Sequence, residues 1–269
     1  MNRSLGAILA ALVSVPSPAG AGGADRLYVL DCGWARVADQ SRFSPGVNVG
    51  VPIDISDNCY LVEHAGAYLL WDTGYPDALA AHPEGERSAD GAFQRYRPRT
   101  LASQLAAVGV KPADVKLVAL SHTHPDHVGN VELFPAATVL IERAEYDWAF
   151  AQKDRPFSPG HPVRKLEGDD DVFGEGSVVI LSTPGHTPGH ASLLVHLRQT
   201  GWVVLSGDLV HLRSNWDARR LPERNFDKAR SLASMQRIAD LLNERHGQLW
   251  INHDKPQSDQ LKHAPAFYE

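Results

Sequence analysis

Cysteine is scarce in this sequence, with only Cys32 and Cys59 among 269 residues. Two cysteines cannot form the disulfide framework of a small secreted scaffold. They also cannot supply the Cys-dominated tetrahedra that are typical of structural zinc sites. Both lie in apolar runs, so the sequence leaves two alternatives open, a single disulfide and a pair of buried free thiols.

Runs of positive charge are also missing. The 26 Lys and Arg residues are outnumbered by 32 Asp and Glu residues, and no basic run is longer than a pair. Because binding to a phosphate backbone needs clustered positive charge, we expect no nucleic-acid partner. With 43% hydrophobic residues, the chain can bury a full core and is expected to form a single domain over 25–269.

Long apolar runs are absent after the N-terminus. In residues 1–24 the only charge is Arg3, residues 5–15 are mainly apolar, and residues 16–24 are small and rich in Pro and Gly. This order is typical of a secretory signal peptide with Ala19-Gly20-Ala21 as its cleavage signature, which predicts a periplasmic or secreted protein. The apolar run is shorter than the roughly 20 residues that span a bilayer, so no membrane association is expected after cleavage.

Short apolar runs between turn residues predict strands at 27–32, 58–63, 68–72, 115–120, 138–142, 178–182, 191–195, 202–206 and 249–252. Helical patterns cover 100–108 and 144–151. A third helix follows Asp227, a good N-cap, with Leu232, Met235, Ile238 and Leu242 as its core stripe. The charged segment 152–171 is expected to be a loop over the site. The order predicts two sheets with helices outside.

Residues 121–127, with the sequence Ser-His-Thr-His-Pro-Asp-His, carry most of the chemical information. Neutral imidazole is the commonest protein metal ligand, and mixed N/O donor sets suit zinc and similar divalent ions. In an extended chain residues i and i+2 lie on one side, so His122 and His124 can bind one ion together. Asp126 and His127 lie beyond Pro125 and can bind a second ion.

Further ligand candidates follow other predicted strands. His186 lies in a Thr-Pro-Gly-His segment, Asp208 follows Ser-Gly, and His253 follows the last strand. Strand ends that converge at one edge of a sheet are a usual place for a site. Five histidines and two aspartates would hold two ions with positions left for water. The residues therefore predict a two-metal hydrolase.

This motif set resembles the metallo-β-lactamase fold superfamily, and within it the N-acyl-homoserine lactone lactonases, the quorum-quenching enzymes. The resemblance runs from about Leu27 to the C-terminus and includes the Asp72-Thr73-Gly74 turn. It implies an αββα sandwich, an α/β fold of two mixed sheets face to face with helices on the outer sides. It also implies that His122, His124 and His186 hold one ion, and that Asp126, His127 and His253 hold the other, with Asp208 between them.

The resemblance also implies a chemistry. Two divalent ions, zinc or else iron, manganese or cobalt, would share a water, lower its pKa towards 7 and polarise a carbonyl. The bridging hydroxide would open a lactone ring, and Asp126 or Asp208 would pass the proton to the leaving alkoxide. A small-molecule lactone is therefore the expected partner, and a homodimer is compatible with the sequence.

One position departs from the lactonase pattern. Those enzymes usually carry a Tyr three residues after the bridging Asp, and this chain has His211 there. An imidazole can also donate a hydrogen bond, although its reach and pKa differ from those of a phenol. His211 is therefore either a substrate-contacting catalytic residue or a solvated loop histidine.

Several neighbouring residues are expected to support the ligands or the pocket. We expect His190, Asp72 and Asp254 to orient ligands, pack or cap turns rather than bind metal. Six aromatic residues in loop-like segments either line a groove for an acyl chain or hold the loops to the body: Trp34, Phe43, Phe93, Tyr96, Phe150 and Phe157.

Other functions stay open. A metallo-β-lactamase or an exported phosphotriesterase could use the same ligands, although similar exported β-lactamases lack the bridging Asp that is Asp208 here. A glutathione thioester hydrolase normally needs a longer C-terminal region than the residues after His253. A periplasmic metal-binding module would instead have no open coordination position and no turnover.

Overall fold

The structure, a computed structural model, describes residues 22–269. Residues 1–21 of the predicted signal peptide, which spans 1–24, therefore lie outside the described residues. Ala24 is already part of the fold, since it is buried and its N–H donates to the carbonyl of His196 at 2.8 Å. None of the helices in this described part combines the length and apolarity needed to cross a bilayer.

Eight strands form the first sheet. Their spatial order is β4 (Glu86–Arg87), β5 (Phe93–Tyr96), β1 (Arg26–Val37), β2 (Ile53–His64), β3 (Ala67–Trp71), β6 (Leu117–Ala119), β7 (Thr138–Glu142) and β8 (Val163–Leu166). The pairs from β4 to β3 are antiparallel, and the pairs from β3 to β8 are parallel. The sheet is therefore mixed, as predicted.

Five strands form the second sheet. Their order is β13 (Gln248–Trp250), β12 (Gly201–Leu205), β11 (Ala191–Leu197), β10 (Val178–Ser182) and β9 (Asp170–Asp171). Only β12 and β13 are parallel. The helices are α1 (Leu101–Ala107), α2 (Pro125–Val128), α3 (Arg143–Phe150), α4 (Arg213–Asp217), α5 (Lys228–Arg245) and α6 (Lys255–Ser258), and 3-10 turns cover Gln40–Arg42, Asp77–Ala81, Pro112–Asp114 and Val131–Leu133.

Three apolar layers hold the sheets and helices together. Leu27 and Trp71 of the first sheet pack with Val195 and Leu205 of the second, which makes the central core. Outside the first sheet, α1 contributes Leu101 and Leu105 to a second cluster, which forms the outer layer of that sheet. Outside the second sheet, α5 buries Met235 and Ile238. This arrangement of helix, two sheets and helix confirms the predicted αββα sandwich.

Some predicted features differ from the structure. The charged segment 152–171 contains β8 and β9, and none of its described residues lines the cavity at the site, so the expected loop over the site was wrong. Leu232, expected in the core stripe of α5, is 42% exposed. The N-cap was right, because the Asp227 side chain accepts from the N–H of Arg230.

The two cysteines are joined. Cys32 on β1 and Cys59 on β2 form a disulfide across the paired strands, so the free-thiol alternative does not hold. Beside it, the buried Arg97 guanidinium donates to the Cys32 carbonyl and to Asp77. The disulfide therefore links two neighbouring strands of the first sheet.

Candidate metal centre

The predicted ligands lie at one edge of the sandwich because each follows a strand that ends there. The 121–127 segment follows β6, His186 lies between β10 and β11, and Asp208 follows β12. His253 follows β13, which pairs in parallel with β12. The structure therefore brings all seven predicted ligands together from both sheets.

The first set contains His122, His124, His186 and Asp208. The Nε2 atoms of His122 and His186 lie 2.8 and 3.1 Å from Nδ1 of His124. Oδ2 of Asp208 lies 3.2 Å from Nε2 of His186 and 3.6 Å from Nε2 of His122. Four donor atoms thus surround one point.

The second set contains Asp126, His127 and His253. The carboxylate oxygens of Asp126 lie 4.0 Å from Nε2 of His127 and 3.9 Å from Nε2 of His253. The other oxygen of Asp208, Oδ1, lies 3.2 Å from Nε2 of His127 and 2.9 Å from Nε2 of His253. Asp208 therefore directs one oxygen at each set, which is the geometry of a bridging ligand.

Hydrogen bonds at the outer ring nitrogens of His127 and His253 determine which end of each of these two imidazoles faces the site. Nδ1 of His127 lies 2.8 Å from Oδ2 of Asp72, and Nδ1 of His253 lies 2.7 Å from the Ser56 carbonyl. These acceptors keep the proton on Nδ1 and leave the Nε2 lone pair free for a cation. Asp72 thus orients His127, one of the predicted ligands.

His190 is turned differently. Its Nδ1 lies 3.0 Å from the Thr183 carbonyl, and its Nε2 accepts the backbone N–H of Asp208 at 2.8 Å. Both nitrogens are engaged, so His190 positions Asp208 rather than binding metal, in keeping with its predicted supporting role. Asp254 caps α6 through the N–H of Gln257 and accepts from the N–H of Arg213.

The donor atoms fit divalent metal ions. Nitrogen ligands at about 2.0–2.1 Å from a tetrahedral zinc lie roughly 3.3 Å apart, close to the spacing within the first set. Within the described chain, Nε2 of His127 and Oδ1 of Asp208 are buried and make no hydrogen bond. Buried polar atoms normally have a partner, and a cation between these atoms would supply one.

The charges of the site centre on the carboxylate of Asp208. Burial lowers the pKa of His122 well below its ordinary value, and His127 adds to that effect. Burial acts the same way on His253, but the carboxylate of Asp208 outweighs it and raises the pKa of His253 to about 9. Burial opposes the charged form of Asp208, yet His253 and His127 hold its pKa well below the usual range. Asp208 is thus the anionic centre of the site.

His211 lies inside the site. It is 3% exposed, and its Nε2 lies 3.2 Å from Oδ2 of Asp208. Its ring stacks on Phe43 at 4.6 Å between centroids and on His253 at 5.4 Å. The alternative of a solvated loop histidine is therefore wrong, and a donor set of Asp208, His211 and His253 also exists here.

Glu145 on α3 connects two ligand segments, and the sequence analysis missed it. One carboxylate oxygen accepts from the N–H and the hydroxyl of Thr123 at 2.9 and 2.7 Å, and the other accepts from the N–H of Gly189 at 3.2 Å. Position 189 must be Gly, because a Cβ there would lie 2.3 Å from the backbone nitrogen of Glu145. Glu145 thereby couples the loop of His122 and His124 to that of His186.

We expect Glu145→Gln to weaken metal binding about tenfold or more, within the range for residues that orient ligands. The amide group would turn an N–H donor towards Thr123 or Gly189, each of which needs an acceptor. Competition with a chromophoric chelator measures the affinity. Glu167→Gln is the matched control, since Glu167 pairs with Arg143 on the surface, and equal affinity in both variants would contradict this role.

Asp57 was also missed. It is 1% exposed and accepts from the N–H of Tyr75 at 3.0 Å, and its other oxygen lies 3.5 Å from the side-chain amide of Asn252. Burial raises its pKa to about 7. Asp57 therefore connects Tyr75, which lines the cavity, to Asn252, the residue before His253. The polar triplet Ser56-Asp57-Asn58 inside a buried strand was the available signal.

A cavity of about 820 Å³ opens over the metal-ligand candidates. His124, Asp126, His186, Asp208, His211 and His253 form its floor, and its walls include Phe43, Phe93, Trp148 and Phe226. Of the six aromatic residues considered from the sequence, only Phe43 and Phe93 line it. Trp34 and Tyr96 stack on each other at 4.0 Å, and Phe150 packs against Phe157.

The metallo-beta-lactamase superfamily model matches residues 54–245 of this chain. The chain is 30% identical over 262 residues to an N-acyl homoserine lactonase AttM of Rhizobium radiobacter, which covers 90% of this chain and 98% of that protein. It is also 30% identical over 253 residues to an N-acyl homoserine lactonase of Bacillus cereus, with the same coverage of 90% and 98%.

Solved structures of lactonases have a similar fold. The fold is similar to that of an N-acyl homoserine lactone hydrolase with the product N-hexanoyl-L-homoserine bound at its catalytic metal center, with a TM-score of 0.81 and 26% identity over 91% of this chain and 100% of that one. A dizinc quorum-quenching lactonase, AidC, superposes with a TM-score of 0.65 at 18% identity, covering 92% of this chain and 97% of that one, and supports the fold alone.

Proposed function

This chain belongs to the metallo-beta-lactamase superfamily, and we propose that it is a two-metal hydrolase that opens the lactone ring of N-acyl-homoserine lactones or related lactones. The predicted resemblance is confirmed, and so is the predicted class of metal-dependent hydrolase, since similar proteins are lactonases. The observation that carries the proposal is Asp208, whose two oxygens face two separate ligand sets at the floor of one cavity.

When bound, a pair of divalent ions supplies Lewis acidity and a nucleophile at neutral pH. His211 lines the cavity beside Asp208, so its ring can donate to the substrate oxygen on which negative charge develops. The oxygen of water adds to the lactone carbonyl carbon, and the bond from that carbon to the ring oxygen then breaks, giving a hydroxy acid.

The proton released by water must reach the ring oxygen as it leaves. Asp126 is better placed than Asp208 to carry it. Both carboxylates line the cavity, but the Asp126 side chain is 21% exposed with its oxygens 3.9–4.0 Å from the nearest imidazoles. The Asp208 side chain is only 5% exposed, and both of its oxygens lie within 3.2 Å of imidazoles. We therefore infer that a carboxylate oxygen of Asp126 accepts the proton and passes it to the alkoxide.

We propose zinc as the resident metal, with two ions per chain. The four donors of the first set are three imidazoles and one carboxylate at a spacing that suits a tetrahedral ion. Iron, manganese and cobalt accept the same ligands. We also propose export to the periplasm or medium. The Cys32–Cys59 disulfide supports an oxidising compartment, and the intact mass of the exported protein tests cleavage after Ala21.

Hydrolysis by the mature protein tests this function. We expect metal-dependent opening of short- and long-chain acyl-homoserine lactones, with kcat/KM far above that on a β-lactam or a phosphotriester. Treatment with a chelator should abolish turnover, and added zinc should restore it. Fast β-lactam or phosphotriester turnover with slow lactone opening would keep the two-metal site and overturn the substrate.

A further inference from the structure

One wall of the cavity carries an arginine that the proposed chemistry does not use. Arg95 lies on β5 two residues after Phe93, and successive residues of a strand point to opposite faces, so both side chains lie on one face. Their partners on β1, Ala35 and Val37, are fully buried. Phe93 and Arg95 both line the cavity above the ligands.

The side chain of Arg95 is unpaired in the part of the chain that the structure describes. It is half-buried, and within residues 22–269 its guanidinium makes no ion pair and no hydrogen bond. Two neighbouring arginines are paired, Arg36 with Asp54 at 2.8 Å and Arg97 with Asp77 at 2.7 Å. Because removing a charge from water costs free energy unless a partner replaces the water, Arg95 is suited to a partner supplied by a ligand.

The rest of the rim is also cationic. Arg42 and Arg224 line the same cavity, and Arg42 lies over the ring of Phe93 at 5.3 Å. The contact of Arg42 with Asp90 is long, at 3.7 Å. Apart from the ligand carboxylates, Glu223 is the only acid among the lining residues. The walls therefore favour negative charge in whatever occupies them.

We propose that Arg95, assisted by Arg42, binds a carboxylate in the acyl part of the substrate, so that the preferred lactones carry a negative charge away from the ring. This inference rests on the proposed lactone-opening function. A guanidinium binds a carboxylate through two parallel hydrogen bonds, whereas a plain hydrocarbon tail would leave Arg95 without a partner.

A matched pair of substrates tests the proposal. N-hexanoyl-homoserine lactone and N-adipoyl-homoserine lactone have six-carbon chains that differ in a terminal methyl or carboxylate, and succinoyl and suberoyl analogues vary the reach. We expect at least one carboxylate substrate to have a kcat/KM about tenfold or more above its neutral partner, the usual effect of a hydrogen bond to a charged group. Added salt should reduce that ratio.

Arg95→Met should bring the carboxylate-to-neutral ratio close to one, and Arg95→Lys should retain part of it because the charge remains. Using a ratio within each variant cancels any general loss of activity. Arg36→Met is the matched control, since Arg36 lies on the opposite face of the same sheet and pairs with Asp54. Its ratio should equal that of the wild type.

The outcomes separate this proposal from the proposed function. Turnover of the neutral lactone reports on the function alone, and the ratio reports on Arg95. A ratio of one in the wild type, or a ratio unchanged in Arg95→Met, would overturn the role of Arg95. If no lactone is hydrolysed, calorimetry can measure the affinities for ring-opened N-adipoyl- and N-hexanoyl-homoserine instead. An adipoyl-to-hexanoyl affinity ratio that is the same in the wild type and in Arg95→Met would refute the role of Arg95.

Discussion

Asp208→Asn is expected to lose about a thousandfold in kcat/KM on a lactone, equivalent to about 4 kcal/mol of transition-state stabilisation. Each oxygen of Asp208 faces one ligand set, at 3.2 Å from His186 and 2.9 Å from His253. An amide has one oxygen, so its NH₂ group would face the imidazoles of one set and remove the shared anion. Metal content should fall below two ions per chain.

Metal analysis and steady-state kinetics on the same preparation check this result. Asp54→Asn is a suitable control, because Asp54 is a surface carboxylate that pairs with Arg36. It should keep both ions and full activity. An Asp208→Asn protein that retains two ions and wild-type turnover would show that Asp208 does not bridge them.

Asp72→Asn should weaken metal binding about 10–100-fold, the usual effect of losing a residue that orients a ligand. It should also lower the free energy of unfolding of the metal-free protein by about 1–3 kcal/mol, the cost of an unsatisfied buried group. Oδ2 of Asp72 lies 2.8 Å from Nδ1 of His127 and accepts the Ser121 hydroxyl at 2.8 Å. The asparagine NH₂ would meet the N–H of His127 there.

The substitution isolates that contact. Asp72 has φ +57°, and Asn tolerates this left-handed conformation as well as Asp does, so backbone strain does not change. Its remaining oxygen can still accept from the N–H of Ser121, the partner of Oδ1 at 2.7 Å. Chelator competition and urea unfolding measure the two effects. An unchanged metal affinity would mean that other contacts orient His127.

The ligand candidates could be predicted from sequence because each lies in a short segment at the end of an apolar strand. The imidazoles of His122 and His124 share one short segment, and His186, Asp208 and His253 each directly follow an apolar strand. Their assignment as metal ligands stays a prediction, as does the signal peptide, whereas their convergence is a fact of the fold. The presence of two sheets followed from the same apolar runs, whereas their mixed pairing was an implication of the resemblance.

Other parts of the site depend on contacts between distant elements. Glu145 reaches Thr123 and Gly189 across 22 and 44 positions, and nothing near it in sequence indicates either partner. Arg95 lies in a polar stretch, residues 82–98, where β5 forms by pairing with β1 on one side and β4 on the other. Tertiary pairing of this kind overrides local propensity.

The walls of the cavity and its floor come from separate parts of the chain. The floor is formed mainly by strand-end loops, while much of the wall comes from residues 42–43, 93–95 and 222–226, with Trp148 of α3 beside them. Natural variation in those wall segments can therefore change which molecules enter without disturbing the groups that perform the reaction. For directed evolution, a library restricted to these wall residues would sample new substrate specificities while the residues of the cavity floor stay unchanged in every variant.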